Sequence, residues 1–296
     1  MVLKRVYLWY IIPASAALSV FFVASVQDLR DREVSDILWI VLGSLGFALF
    51  AAGIAFGNYD VPGLSSIALL LPAFLFADMF VDWQKLLGKS GNPARYSIAA
   101  VLLFIAVLQS IQHIGSIYVD AMLSTSAWIA FIFLLYRIDV IKGGADAKAL
   151  VTLAILFPFY PQTLSGAKMP VYSDLTFPFF LSVLMMGAIF SSVVPLILAG
   201  RNAAKGNLRL PHMFLGLVRN VEAVDLSKEW LLEVSDENGQ PKRVRKLGTV
   251  DENVALAEIR RAGWKSVWIS PKLPFIVPLA AGLIFVLAVG NPLFYL

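Results

Sequence analysis

The chain contains no cysteine, which excludes disulfides, Cys-ligated zinc, iron–sulfur clusters and a thiol nucleophile. Histidine is almost as rare. His113 and His212 are the only two, too few for a His-rich metal site and a poor basis for a Ser–His triad. Charge is scarce too: Asp, Glu, Lys and Arg make up 15% of 296 residues, against about 25% in a soluble domain. That shortage excludes a disordered chain, an ordinary soluble enzyme and a nucleic-acid-binding module. What is abundant is apolar side chain, at 59% of residues with a mean hydropathy of +0.77. About 20 consecutive apolar residues cross a bilayer, so the composition is that of a polytopic, all-α membrane protein. A net charge of +4 then reads as basic cytoplasmic loops facing the bilayer, with no nucleic acid partner.

Apolar runs over residues 6–27, 37–56, 64–82, 96–114, 121–138, 147–161, 175–199 and 273–292 predict eight membrane spans. The first run has no small-residue cleavage site after it and reads as a retained helix. No internal repeat is visible, which weighs against a transporter built from two related halves. Placing the N-terminus outside puts 21 of the 24 Lys and Arg residues on the cytoplasmic side and leaves Lys4, Arg5 and Lys168 outside. The chain then divides into a membrane domain over 1–200, a cytoplasmic α+β insertion over 201–272 and a last transmembrane helix over 273–296. Within the insertion, Trp230 to Val234 predicts a strand, Asn238-Gly239 a hairpin turn, and Pro241 to Leu247 the returning strand. Thr249 with Glu252 predicts a capping box, opening a helix that stops near Gly263. Ser266 to Ile269 predicts a final strand.

Carboxylates bordering apolar spans are the informative residues, because a charge is costly to bury in lipid. Asp28 closes the first span and Asp146 opens the sixth. The charge-derived topology puts both at the cytoplasmic membrane boundary, 118 residues apart in sequence. Two carboxylates brought together in a partly dry site cannot both ionise easily. One keeps its proton as a general acid while the other activates water. That chemistry requires neither metal nor cofactor. On position alone each aspartate has a plainer alternative: Asp28 as a headgroup-layer carboxylate, Asp146 as the N-cap of the sixth span. Asp78 and Asp82 fall at i, i+4 spacing on one predicted helix face, a solvated helix end rather than a cation site or a part of the catalytic site. The basic string Lys242 to Lys246 predicts a solvated strand face or an anionic-lipid contact.

The segment Ala24-Ser25-Val26-Gln27-Asp28-Leu29-Arg30-Asp31-Arg32-Glu33-Val34 resembles the first catalytic segment of the archaeal preflagellin and prepilin peptidases. Gly143-Gly144-Ala145-Asp146-Ala147-Lys148 resembles their second, the GxGD motif of intramembrane aspartyl proteases. Val267 to Phe275 is similar to the sequence leading into their last span. The resemblance implies a six-helix family core and an aspartyl endopeptidase. Its substrates would be archaellin or type IV pilin-like precursors with class III signal peptides, from which it removes a short basic leader. It makes Asp28 and Asp146 the catalytic pair, supported by Gln27, Gly143, Gly144, Ala145 and Lys148. Asp31, Glu33 and Asp36, which follow the first aspartate, are candidates to attract the basic leader. Two departures stand out: Ala145 occupies the motif's second glycine position, and the predicted span count exceeds six. Bacterial relatives that join methylation to cleavage use a cysteine-rich segment, so peptidase activity alone is expected here. A rival class remains open, a secondary transporter that uses the same carboxylates as proton or cation relays.

Overall fold

The computed structural model describes residues 2–55, 69–112, 117–141, 143–160, 177–236, 238–244 and 251–291. Among them the helices run α1 Val2–Asp31, α2 Asp36–Ala55, α3 Leu70–Asp78, α4 Trp83–Leu87, α5 Gly91–Gln112, α6 Ile117–Arg137, α7 Gly144–Leu156 and α8 Phe179–Ser191. After α9 Val193–Ala204 and α10 His212–Leu215 come four strands: β1 Leu217–Asn220, β2 Glu229–Leu231, β3 Glu233–Ser235 and β4 Pro241–Arg243. The chain closes with α11 Glu252–Arg261, β5 Ser266–Pro271 and α12 Ile276–Ala288. It divides into two compact units, one of Met1–Ala188 with Phe275–Leu296, the other of Ile189–Pro274.

Among the described residues, five helical stretches are long and apolar enough to cross a membrane: Ile11–Asp31, Asp36–Gly53, Trp83–Gln112, Val119–Arg137 and Phe179–Ala204. The run predicted over 147–161 is shorter as a helix. It ends at Leu156, because Pro158 cannot donate to the helix and disfavours the α conformation at the residue before it. The run over 175–199 is divided between α8 and α9 at Ser192. Residues 64–68, 113 and 114 of two other runs, and His113 with them, lie outside the described residues.

In the first unit α7 is the central element. From Ala149 to Leu156 every residue is buried, as expected of a helix that is apolar all round. It packs on α2, α3, α6 and α12. Where α8 crosses α12 the two backbones touch. A Cβ on Gly282 would stand 2.5 Å from the Val183 carbonyl oxygen and 2.7 Å from the Gly187 nitrogen. Small residues at such a crossing let helices meet without a hydrophobic driving force between them.

The second unit is a small α+β fold. Strand β5 lies between β1 and β2, antiparallel to both, with Leu217 opposite Ile269 and Leu231 opposite the same residue. Its core is Val221, Leu231, Ala255, Leu256, Ile259, Val267 and Ile269, with α11 laid on the sheet. The predicted 230–234 strand is two strands, β2 and β3, with Leu232 as the switch: its N–H still donates to the Trp268 carbonyl of β5 at 2.9 Å, while its carbonyl accepts the Val244 N–H just after β4, also at 2.9 Å. Strand β3 pairs with β4 as a hairpin. Gly239 takes its turn at φ +75°, and the Asp236 carboxylate accepts the Asn238 and Gln240 amides. The helix start differs from the predicted capping box. Asp251 is the N-cap and accepts the Asn253 and Val254 amides, while Thr249 lies outside the described residues.

Candidate active site

The first unit holds the two sequence segments singled out above. Asp28 occupies the last turn of α1, half-buried, and its Oδ2 accepts the Ile276 backbone N–H at 3.2 Å. Ile276 opens α12. The first amides of a helix have no partner within it, and its N-terminus carries partial positive charge. Asp28 is therefore a tertiary anchor between α1 and α12 rather than a loose headgroup carboxylate.

Asp146 lies in the first turn of α7 and is also half-buried. It is not the N-cap. That position belongs to Gly143, at φ −90° and ψ 124°, which has no capping side chain. The Asp146 carboxylate instead folds back over the Gly143 backbone. A Cβ there would come within 2.3 Å of Asp146 Oδ2 and 2.7 Å of its Cγ. The first glycine of the motif is thus a space requirement of the carboxylate. A Cβ on Gly144 would meet the Tyr136 hydroxyl at an ordinary 3.5 Å. Ala145 stands in the helix, where glycine's freedom has no use, so the departure from the family pattern changes nothing in the local backbone.

The fold brings the pair together. The Asp28 charge acts directly on Asp146, which puts the two within electrostatic reach despite their separation in sequence. Among the described residues neither forms an ion pair.

Supporting side chains tie the two segments to each other. Gln27 Oε1 accepts the Ser35 N–H at 3.0 Å and closes the α1–α2 turn. Lys148 Nζ, from the second segment, meets Asp36 Oδ1 at the start of α2 at 2.5 Å and lies 5.1 Å above the Phe80 ring. Asp36 is therefore engaged within the protein, whereas Asp31 and Glu33 are exposed, Asp31 lying 3.6 Å from Arg30. Asp78 and Asp82 do not share a helix face as predicted. Asp78 ends α3, buried, against Arg95 at 2.5 Å and the Trp83 indole N–H at 2.7 Å, while Asp82 caps α4. His212 belongs to the second unit, buried 3.7 Å from Glu233.

A family profile described as "Archaeal Peptidase A24 C-terminus Type II" matches residues 208–291. Curated proteins called "Preflagellin peptidase" align along almost the whole chain. The one from Methanococcus voltae is 26% identical over 276 residues, covering 91% of each chain. That from Methanocaldococcus jannaschii is 21% identical over 275 residues, covering 91% of this chain and 90% of its own. A third, from Methanococcus maripaludis, is 23% identical over 284 residues, covering 91% of each. The chain is thus similar to archaeal preflagellin peptidases along nine-tenths of its length, and its C-terminal part matches the archaeal A24 peptidase profile.

In this chain the profile match takes in β1 to β5 and also α12, whose first amide donates to Asp28. One residue of the site escaped the sequence reading. Arg32 follows α1 with φ +60°, and its charge acts on Asp28. Its Nε and Nη1 are buried without a hydrogen-bond partner among the described residues. A lone arginine after a helix looks like a surface residue. The only sequence signal was its i, i+4 spacing from Asp28.

Proposed function

We propose that the peptidase is a membrane-embedded aspartyl endopeptidase that removes the short basic leader from preflagellin (archaellin) or other type IV pilin-like precursors with class III signal peptides. Asp28 and Asp146 are its catalytic pair. The observation that carries this reading is that two aspartates 118 residues apart in sequence stand within electrostatic reach, neither of them in an ion pair among the described residues. Two carboxylates so arranged share protons unequally. The ionised one takes a proton from water, whose oxygen bonds to the scissile carbonyl carbon. The protonated one donates to the carbonyl oxygen as the tetrahedral adduct forms. Collapse of that adduct breaks the C–N bond, and the departing nitrogen takes up a proton. No step passes through a covalent enzyme intermediate.

The membrane arrangement in this reading has eight crossings, counting the shorter α3, α7 and α12, with the N-terminus outside. The region 201–272 is a cytoplasmic insertion and 273–296 the last crossing. Both aspartates then meet the precursor at the cytoplasmic face of the cell membrane, with its apolar helix in the bilayer and its leader in water. Exposed Asp31 and Glu33 supply counter-charge to that leader, and Asp36 with Lys148 braces the two catalytic segments. The test is incubation of the purified peptidase with a preflagellin, reading the new N-terminus of the product. Cleavage by wild type and none by Asp28→Asn or Asp146→Asn is the expected result. Retained cleavage in either variant overturns the catalytic assignment.

A further inference from the structure

We propose that Arg32 binds the precursor, its guanidinium donating to a main-chain carbonyl oxygen beside the bond to be cut. The inference rests on the reading of Asp28 and Asp146 as the catalytic pair.

The backbone is the first observation. Arg32 holds φ +60°, a conformation glycine adopts freely and an arginine does not. Its turn is held on both sides. Gln27 bonds the Ser35 amide on one flank, and Asp36 is held by Lys148 on the other. Unfavourable dihedrals persist where the surroundings over-determine them, and they cluster at working sites.

The side chain is the second observation. A guanidinium has only donors, and a buried donor without an acceptor is costly. Arg32 carries two such nitrogens, Nε and Nη1. The same unit shows what a structural arginine does: Arg95 closes on Asp78 at 2.5 Å. Arg32 stands near enough for its charge to act on Asp28, yet forms no such pair. Its nitrogens are left for an acceptor oxygen from outside the chain.

The site selects the kind of oxygen. A third carboxylate brought beside Asp28 and Asp146 would be repelled by the charge they carry. An uncharged carbonyl is not. A peptide in extended form at the membrane boundary carries carbonyls that lipid cannot satisfy. The precursor's own backbone is therefore the matching ligand.

Arg32→Gly separates this role from a purely structural one, because glycine suits the dihedral and keeps the turn. The thermal midpoint of Arg32→Gly should equal or exceed that of wild type, while kcat/KM for precursor cleavage falls about 10- to 100-fold. The loss should lie mainly in KM, since the contact is made before and during bond cleavage alike. Arg32→Lys keeps the charge and should recover part of the loss. A binding measurement removes dependence on turnover. Uncleaved precursor should bind Asp28→Asn about 10-fold or more tightly than it binds the Asp28→Asn, Arg32→Gly double variant. Wild-type cleavage by Arg32→Gly beside an inactive Asp28→Asn, or equal binding by the single and double variants, overturns the inference alone. Retained cleavage by Asp28→Asn overturns the catalytic reading and this inference with it.

Discussion

The buried carboxylates of the α+β unit and the two half-buried aspartates of the membrane unit are treated in opposite ways. In the α+β unit Glu229 and Glu233 are buried and answered by arginines: Arg219 meets Glu229 at 2.9 Å, and Arg209 pairs with Glu233. In the membrane unit Asp28 and Asp146 lie within reach of each other, and Asp28's hydrogen-bond partner is a backbone amide. A carboxylate that serves the fold is neutralised, because an unpaired buried charge is expensive. A pair that must exchange protons with a substrate cannot be neutralised without losing its function. Asp78 obeys the first rule although it lies in the membrane unit, so under the proposed function the distinction follows role rather than location.

The contrast breaks most sharply under amide substitution. Asp28→Asn and Asp146→Asn should each lower precursor cleavage by about 10²- to 10⁴-fold with the thermal midpoint nearly unchanged. Gly143→Ala tests the geometry behind that effect. Its new methyl displaces the Asp146 carboxylate, so cleavage should fall about 10-fold or more, as small misplacements at a reacting centre do, while the circular dichroism spectrum stays that of wild type.

Glu233→Gln should do the reverse. It leaves Arg209 without its counter-charge and costs about 1–3 kcal/mol in urea unfolding, yet folded molecules should cleave at the wild-type rate. Equal activity losses in Glu233→Gln and Asp28→Asn would erase the distinction between the units.

Two smaller effects sharpen it. Burial holds the His212 imidazole below its ordinary pKa of 6.5, with Glu233 opposing and Arg209 and Arg243 reinforcing. The unfolded chain therefore takes up the proton first. The unit keeps its full stability above about pH 6.5 and loses some as the pH falls below it. His212→Gln should flatten that dependence in a pH series of thermal melts. Asp36→Asn removes an ion pair whose carboxylate is half exposed, so stability should change by only about 0.2–1 kcal/mol.

The two aspartates proposed as the catalytic pair were legible in the sequence. Asp28 and Asp146 stood out because charge at the edge of an apolar run is costly enough to require a reason. The β3–β4 hairpin was visible in Asn238-Gly239, and the end of α11 in Gly263 at φ +73°. Other features were hidden for definable reasons. Strand β1 is four residues long and pairs only with β5, about 50 residues downstream, so no local pattern announces it. The division of the 230–234 strand falls at Leu232, which bonds β5 through its N–H and Val244 through its carbonyl, and no local pattern marks that hand-over. The buried pairing of Asp78 with Arg95 cannot be inferred from spacing, because it joins different helices.

Composition and the spacing of apolar runs were sufficient for a helical membrane protein with two acidic residues at helix ends. Those properties are local, set by how each stretch of chain partitions between lipid and water. That α12 offers its first amide to Asp28, that Asp146 lies over Gly143, and that Arg32 keeps two buried donors unmatched were decided by helix packing. Such contacts join residues as far apart as Asp28 and Ile276, and their energy depends on which surfaces meet in space rather than on which residues neighbour one another along the chain.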